Sequence, residues 1–519
     1  MPNAARFFLV TVFSFFSIFL FSQENTVKAN EQLFFSTKHT IAIKGKPIRF
    51  TAIADEIYLK NDDNKIIASV FSFSYIRKSK NNEVRPVVFV FNGGPGSSSI
   101  WLHLSSIAPW KVKLTPEINS SNIPPFGLED NANCLLDVAD LVFIDPVGTG
   151  FSRIISPGTP QDFYGVDQDA ESMAQFIEKW LIKNNRWNSP KFLIGESYGS
   201  QRVSVLPRAL MGGVMYAGVM RGITLNGIIM LGTTLESPLK KITADAKLER
   251  AASLLPTLAK TAWYYNKIDK TLYSYEEFQK EIAVFAAKDY FNALVLEHQQ
   301  KLSVTERNGI IDKLCRYTGL AADFFSSTLE IDPKIFADRL LAKENLQIGL
   351  YDTRYTLPLE HSGNDPVADD PSMARYVPGF TAAFREMLAS KLKINIQDPY
   401  KTIDWKNISF QWQWSRKETK EGPDFTDDLN VVLRRTPNLK VFIAAGSYDL
   451  STPAGYARNT TEKAHFSADR VIFKEYESGH MLYLGSTGKL FSDDLRLFIL
   501  SSSTGKATEP SQPMKMLKK

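Results

Sequence analysis

Lys191-Phe-Leu-Ile-Gly-Glu-Ser-Tyr-Gly-Ser200 changes character within a few residues. Lys191-Phe-Leu-Ile reads as a short buried strand, Gly195-Glu-Ser-Tyr-Gly199 as a sharp turn, and the segment from Ser200 as the start of a helix. A strand, a tight turn and a helix in that order form a nucleophile elbow, with Ser197 at its tip. Glycines two residues to either side suit such a turn, because the serine sits on a strained backbone that passes close to its neighbours. A bare G-x-S-x-G string is a common turn; the flanking strand and helix are what set this one apart.

A second turn matches the first. Pro86-Val-Val-Phe-Val-Phe91 is an apolar run of strand length, as expected for a strand buried on both faces. It ends in Asn92-Gly-Gly-Pro-Gly-Ser-Ser-Ser99. A phosphate cradle is the alternative for a glycine-rich loop after a strand, but no Gly-Lys-Ser/Thr follows and Pro95 removes one of the donors. An oxyanion hole fits better. A backbone N–H at Gly94, together with that of Tyr198, would stabilise a tetrahedral oxyanion.

Outward from these turns the pattern repeats. Short alternating runs from residue 40 to 76, with turns at Gly45-Lys-Pro47 and Asn61-Asp-Asp-Asn64, predict antiparallel hairpins. A Pro- and Asn-rich stretch at 116–133 reads as surface loop. Leu141-Val-Phe-Ile144 is the next buried strand and ends in Asp145-Pro-Val-Gly-Thr-Gly-Phe-Ser-Arg153. Asp145 precedes the serine and lies near Arg153, so an ion pair or a loop anchor is favoured over a catalytic acid. A helix from about residue 167 places Ala170, Met173, Ile177, Trp180 and Leu181 on one face. Ile228-Ile-Met-Leu231 is another buried strand. Alternating strands and helices imply a largely parallel sheet covered on both faces.

From residue 237 to 436 the chain turns to long amphipathic segments, read as a helical insertion over the carboxyl edge of the sheet. The aromatics at 405–414 are either pocket lining or core. The sheet pattern then resumes with Lys440-Val-Phe-Ile-Ala-Ala445 before Gly446-Ser-Tyr-Asp449, and Val471-Ile-Phe-Lys-Glu-Tyr476 before Ser478-Gly-His480; an amphipathic helix at 490–500 closes the chain. The expected division is 1–22 signal peptide, 23–236 first part of the core, 237–436 insertion, 437–504 second part of the core and 505–519 a basic disordered tail.

Ligands of open α/β sheets sit beyond the carboxyl ends of the strands, where Ser197, Asp449 and His480 all fall. Their order, Ser then Asp then His, is that of this topology. Ser197 would attack a carbonyl, His480 would carry its proton, and Asp449 would orient the imidazole. Of the six histidines, His465 lies before the last strand, His103 precedes the serine as a packing or supporting group, and His39, His298 and His361 lack turn context. None has metal-ligand spacing, so no metal or cofactor is expected. Glu196 is the oddity: a carboxylate beside the nucleophile opposes an oxyanion unless it is protonated or hydrogen-bonded. A partly protonated acid there, with Asn92 facing it, could bind a carboxylate; the plainer alternative is that Glu196 supports the loop.

The 519 residues are 44% hydrophobic and 23% charged, enough for a large core. A net charge of +5 without aromatic-interleaved basic clusters argues against a nucleic-acid partner. Arg6 followed by an apolar run at 7–21 and Ser22-Gln-Glu24 has the order of a secretory signal and is short for a membrane span. Cleavage near Ser22 would leave no stable membrane insertion; retention as an anchor is the alternative. Cys134 and Cys315 are too few for a disulfide framework and either pair with each other or remain thiols.

The motifs at 92–99, 145–152, 195–198 and Gly479-His-Met481, spread over residues 40–500, resemble those of the serine carboxypeptidases, secreted enzymes of the α/β-hydrolase fold. Gly349-Leu-Tyr-Asp-Thr-Arg354 and Asp370-Pro-Ser372 are similar to the bacterial branch. The resemblance implies a triad of Ser197, Asp449 and His480, an oxyanion hole of Gly94 and Tyr198, and a site for the free C-terminal carboxylate of a peptide at Asn92 and Glu196. It also implies activity in acid, where Glu196 is protonated. Three departures stand out. Ser97 replaces a cysteine common in relatives, so a familiar disulfide is absent. Gly199-Ser200 replaces Ala-Gly, and Leu482-Tyr-Leu484 replaces a frequent Val-Pro at the leaving-residue pocket. The rival functions are an esterase or acyltransferase using the same acyl-enzyme, and an inactive binding protein.

Overall fold

The computed structural model describes residues 32–77, 84–114, 121–214, 216, 218–239, 241–417, 425–464 and 466–503. The expected signal peptide, the basic tail and His465 lie outside them.

Ten strands form the main sheet. They are β1 (Phe34–Ile43), β2 (Lys46–Lys60), β3 (Ile66–Arg77), β4 (Val87–Phe91), β5 (Asp140–Ile144), β6 (Arg153–Ile154), β7 (Lys191–Glu196), β8 (Gly227–Leu231), β9 (Lys440–Gly446) and β10 (Val471–Tyr476). The order is β1-β2-β3-β5-β4-β7-β8-β9-β10, with β6 against β3. The pairings of β1, β2, β3 and β5, and that of β6 with β3, are antiparallel, as the hairpin pattern predicts for the first of them, and the pairings along β5-β4-β7-β8-β9-β10 are parallel.

The central parallel strands β4 and β8 are buried along their whole length because both faces are covered, whereas the edge strand β10 carries Lys474 and Glu475 and leaves Ile472 exposed. In β4, Val88 and Val90 enter one core cluster, while Val87, Phe89 and Phe91 enter the other. α1 (Val166–Lys183) and α2 (Tyr198–Met211) cover the second face. Ala170, Met173, Ile177, Trp180 and Leu181 of α1 are all buried there, as their spacing predicts, and Trp180 Nε1 donates to Ser74 Oγ at 3.0 Å.

Between β8 and β9 the chain is mainly helical. α3 (Ala244–Tyr264) leads a group of helices up to residue 344 with an apolar core of its own. α4 (Pro371–Glu386) instead joins the first face of the sheet, where Phe384 packs edge-on to Phe73 and within 4.2 Å of the Tyr400 ring centroid. α5 (Phe425–Arg435) returns to the second face, and α6 (Thr487–Ser503) closes the first. Among the described residues, no helix is long and apolar enough to cross a membrane.

Two sequence expectations need correction. The stretch at 116–133 is not all loop: Gly127–Asp130 pairs antiparallel with Trp110–Lys113, a tertiary pairing that overrides a turn-rich composition. Arg153 is no partner of Asp145; it pairs with Glu56. The anchor role of Asp145 does hold, since its Oδ1 accepts from Ser99 N (2.9 Å), Ser99 Oγ (2.8 Å) and Tyr400 OH (2.8 Å). The cysteines are unpaired: Cys134 is buried beside the sheet and Cys315 half-buried in the helix group that α3 leads.

The position of α4 within the sheet's own core is testable. Phe384→Ala deletes a fully buried ring and is expected to lower unfolding free energy by roughly 3–5 kcal/mol. Guanidinium unfolding monitored by tryptophan fluorescence measures it; a loss below about 1 kcal/mol would mean that α4 contributes little to this core.

Candidate active site

Ser197 follows β7 directly and caps α2. Its φ of 57° and ψ of −125° lie outside the regions that side-chain-bearing residues favour. Neighbours hold it there: its N–H donates to Leu231 O at 2.9 Å, and its carbonyl accepts from Ser200 N at 2.8 Å and Ser200 Oγ at 2.6 Å. α2 begins at Tyr198, whose N–H belongs to the helix-terminal set that lacks intrahelical acceptors. The loop after β4 lies against it. A Cβ on Gly93 would come within 2.5 Å of both Tyr198 N and Glu196 O, so the loop reaches this position only as glycine. Gly94, Ser197 and Tyr198 line one cavity of about 400 Å³, walled further by Gln201, Pro238 and Trp414.

His480 and Asp449 come from the turns after β10 and β9. His480 Nδ1 lies 2.8 Å from Asp449 Oδ2, and both residues are buried. Asp449 is saturated: Oδ1 accepts from Ser451 N (2.8 Å) and Thr452 N (2.9 Å), and Oδ2 from Thr452 Oγ1 (2.6 Å). Thr452 Oγ1 is also 3.0 Å from His480 Nδ1. With Nδ1 committed to the carboxylate, the other ring nitrogen carries the lone pair. Gly232, next to the carbonyl that holds Ser197, packs on the imidazole; a Cβ there would sit 2.9 Å from His480 Cε1. Ser197 and the His480–Asp449 pair therefore flank the same 231–232 turn.

Glu196 is buried beside them. Its Oε2 accepts from Asn92 Nδ2 and, at 3.2 Å, from Tyr483 OH, while Oε1 has no partner among the described residues. Leu102 N–H donates to Asn92 Oδ1 at 3.1 Å, which turns the amide donor toward Glu196. Burial pushes the Glu196 carboxyl up to about 7, against the pull of His480 and the hydrogen bonds from Tyr483 and Asn92. Burial also disfavours a charged His480, but the carboxylates of Asp449 and Glu196 outweigh it and raise the imidazole to about 9.

All seven sequence-predicted positions thus sit at the carboxyl ends of β4, β7, β9 and β10. His103 is a packing group: fully buried, stacked on Phe143 and 2.5 Å from Tyr75 OH, with burial lowering it to about 3. Of the aromatics at 405–414, Trp412 packs edge-on against Tyr198 and Trp414 lines the cavity, whereas Phe410 is 80% exposed. Sequence reading missed three contributors. Thr452 bridges the acid and the imidazole. Buried Arg202 binds Asp169 Oδ2 and Asn92 O, both at 2.7 Å, and so ties β4, α1 and α2 together. Tyr351 O accepts the His480 N–H at 2.7 Å, and Leu350 O accepts Leu450 N at 2.8 Å, so the 349–354 loop buttresses both turns. An aspartate whose side chain can turn back on the backbone two and three residues on, with a threonine at the third, is a local turn pattern that could have pointed to the first of these.

Thr452→Val keeps the shape and removes both side-chain hydrogen bonds. Bonds to a charged group are worth about 1.5–3 kcal/mol, so labelling of Ser197 by a serine-directed phosphonate should slow by roughly 10–100-fold. Labelling followed by mass spectrometry checks this; a change under about twofold would show that Thr452 does not support the pair.

Comparisons with known proteins agree with this architecture. A curated relative, the pheromone-processing carboxypeptidase kex1 of Sclerotinia sclerotiorum, is 32% identical over 145 residues, which are 28% of this chain and 21% of that protein. Serine carboxypeptidase-like 8 of Arabidopsis thaliana is 28% identical over 170 residues, 32% of this chain and 36% of that one. The chain thus spans between a fifth and about a third of the length of these relatives. Among solved structures, a prohormone-processing carboxypeptidase from Saccharomyces cerevisiae superposes with a TM-score of 0.53 at 16% identity, covering 88% of this chain and 91% of that one, which shows a shared fold. The family model for serine carboxypeptidase matches residues 58–489, and on that match the chain belongs to the serine carboxypeptidase family.

Proposed function

We propose that the protein is a serine-type carboxypeptidase that releases C-terminal residues from peptides through an acyl-enzyme. The observation that carries this reading is the buried Asn92–Glu196 pair, placed immediately beside Ser197 with the His480–Asp449 pair in the same site. A hydrolase acting on neutral esters has no use for a carboxyl held partly protonated at its nucleophile. A peptide's terminal carboxylate can accept from the Asn92 amide and from protonated Glu196.

In this reading Ser197 Oγ attacks the last peptide carbonyl while His480 takes its proton. Asp449 stabilises the resulting imidazolium, and the N–H groups of Gly94 and Tyr198 receive the oxyanion. Collapse of the tetrahedral species passes the proton from His480 to the departing amine. Water, activated by the same imidazole, then releases the shortened peptide. We further read the 237–436 segment as the cap that shapes the substrate pocket. The resemblance of Gly349-Leu-Tyr-Asp-Thr-Arg354 to the bacterial branch supports placing the chain there, and the charge and apolar order of the N-terminus supports export with loss of residues 1–22.

The decisive test is release of the terminal residue from matched blocked dipeptides, free acid against amide, by wild type and Ser197→Ala. Turnover of the acid, at least tenfold weaker on the amide and abolished in Ser197→Ala, is expected. Cleavage of a simple aryl ester with neither peptide cut would instead make the enzyme an esterase or acyltransferase.

The pH dependence separates the two titrating groups. Glu196 must keep its proton to donate, so the ratio of kcat/KM for the free acid to that for a matched ester should fall as pH rises through about 7. His480 must lose its proton to act as a base, so a matched ester without a carboxylate should continue to gain toward about 9. Glu196→Gln retains a donor that does not titrate, and its acid-to-ester ratio should lose the fall near 7. Coincident acid and ester profiles in the wild type would remove Glu196 from carboxylate binding.

A further inference from the structure

Tyr483 stands in the Leu482-Tyr-Leu484 stretch, three residues beyond His480, and is 3% exposed. Its position is set from behind: Leu484 N bonds Met481 O at 3.2 Å, Thr487 Oγ1 bonds Leu482 O at 3.2 Å, and the tight approach of Gly488 to Tyr483 O fixes the backbone against α6. The phenol is thereby delivered to Glu196 Oε2, 3.2 Å away, alongside the Asn92 amide.

The two oxygens of Glu196 are consequently unequal. Oε2 receives two donors, and Oε1 receives none among the described residues. A proton on the acid belongs on the oxygen that is not already accepting, because a protonated Oε2 would direct its hydrogen at two groups that are themselves donors. Tyr483 remains a donor throughout, since burial and the adjoining Glu196 carboxylate raise its phenol well above the ordinary value. The groups that bear on Glu196 are His480 and Asp449 from the turns beyond β10 and β9, Asn92 from β4, and Tyr483 itself. Of these, Asn92 and Tyr483 touch Oε2.

We propose that Tyr483 is a positioning residue for recognition of the substrate carboxylate: by occupying Glu196 Oε2 together with Asn92, it reserves Oε1 for the proton that the substrate carboxylate accepts. This rests on the carboxypeptidase reading and extends it to a residue that stands where relatives often have a small Val-Pro wall.

Tyr483→Phe removes the hydroxyl and keeps the ring. The preference for a free-acid dipeptide over its matched ester, measured as the ratio of kcat/KM values below pH 7, should fall several-fold to roughly tenfold, as expected for loss of one buried hydrogen bond. The change should appear in KM for the acid, with kcat within about twofold. Removing a donor to the ionised form also raises the acid's pKa, so the fall in the acid-to-ester ratio near pH 7 should move to higher pH. In a Glu196→Gln background, which has no such fall, the added Tyr483→Phe should leave the pH profile where it was. Equal losses on acid and ester with an unshifted profile would make Tyr483 a packing residue and overturn the inference while leaving the carboxypeptidase reading intact. A wild-type enzyme indifferent to the free carboxylate would overturn that reading and this inference with it. Thermal unfolding of Tyr483→Phe within a few degrees of wild type distinguishes a site effect from misfolding.

Discussion

The backbone of Ser197 is the constraint on which the rest of the site depends. Holding a serine at φ 57° and ψ −125° costs on the order of 1–3 kcal/mol and persists only where the surroundings over-determine it. Here β7 lies between β4 and β8 in a parallel ladder, so the strand that feeds the elbow cannot shift without breaking hydrogen bonds on both sides. The same strand order distributes the chemistry. The loop after β4, on one side of the elbow, brings Asn92 and Gly94. β9 and β10, beyond β8 on the other side, bring Asp449 and His480. The two halves of the site are separate in sequence because they lie on opposite sides of one strand.

Electrostatically the site is one unit. Glu196 and His480 are both buried, and each raises or lowers the other: the carboxylate helps hold the proton on the imidazole, and the imidazolium helps hold the carboxyl ionised. Moving a proton from His480 to Glu196 leaves the net charge of the pair unchanged, so the titration steps belong to the pair. In the proposed reading, a substrate carboxylate would add negative charge beside Glu196, favour the protonated acid and so remove the Glu196 charge that holds the proton on His480. Binding the correct substrate would in this way prepare the base, whereas a neutral ester would leave the ion pair as it was. Asp449, saturated by the backbone and Thr452, takes no part in this exchange and keeps its role of orienting Nδ1.

Much of this was legible in the sequence because parallel strands buried on both faces are runs of apolar residues, and their turns follow at once. Val87–Phe91 and Lys191–Glu196 are short, buried throughout and entered from a proline, and each leads directly into a candidate site residue. The supporting groups were not legible for an equally physical reason. Arg202 and Tyr483 act across long separations in the chain, and neither stands in a pattern that a local period reveals. The pairing of Gly127–Asp130 with Trp110–Lys113 was missed because strands this short are created by their partner rather than by their own composition. Arg153 was assigned to Asp145 on nearness in sequence, but a residue on β6 faces β3 and reaches Glu56 on β2 beyond it.

The replacement of cysteine by Ser97 bears on how the loops around the serine are secured. The segment at 400–413 runs back across them as a strap. Thr402 O accepts from Ser98 N at 2.9 Å and Ser98 Oγ at 3.1 Å, Asp404 N donates to Gly96 O at 3.0 Å, Lys401 exchanges both backbone bonds with Gly150, and Ser409 Oγ reaches Pro95 O. Ser97 Oγ itself accepts from Trp101 Nε1 at 3.0 Å. Each bond contributes about 0.5–1.5 kcal/mol net, and several acting on one short segment match what a single cross-link supplies. The same strap brings Tyr400 to Asp145 and Trp412 to Tyr198, so it fixes the loop after β4, the 145–153 loop and the elbow in one pass. Because no thiol takes part, the geometry of these loops is independent of the redox state of the surroundings. It depends instead on dense backbone pairing, which is why the strap carries three isolated bridges, Ser97 to Ile403, Gly150 to Lys401 and Gly165 to Gln413, and no regular strand.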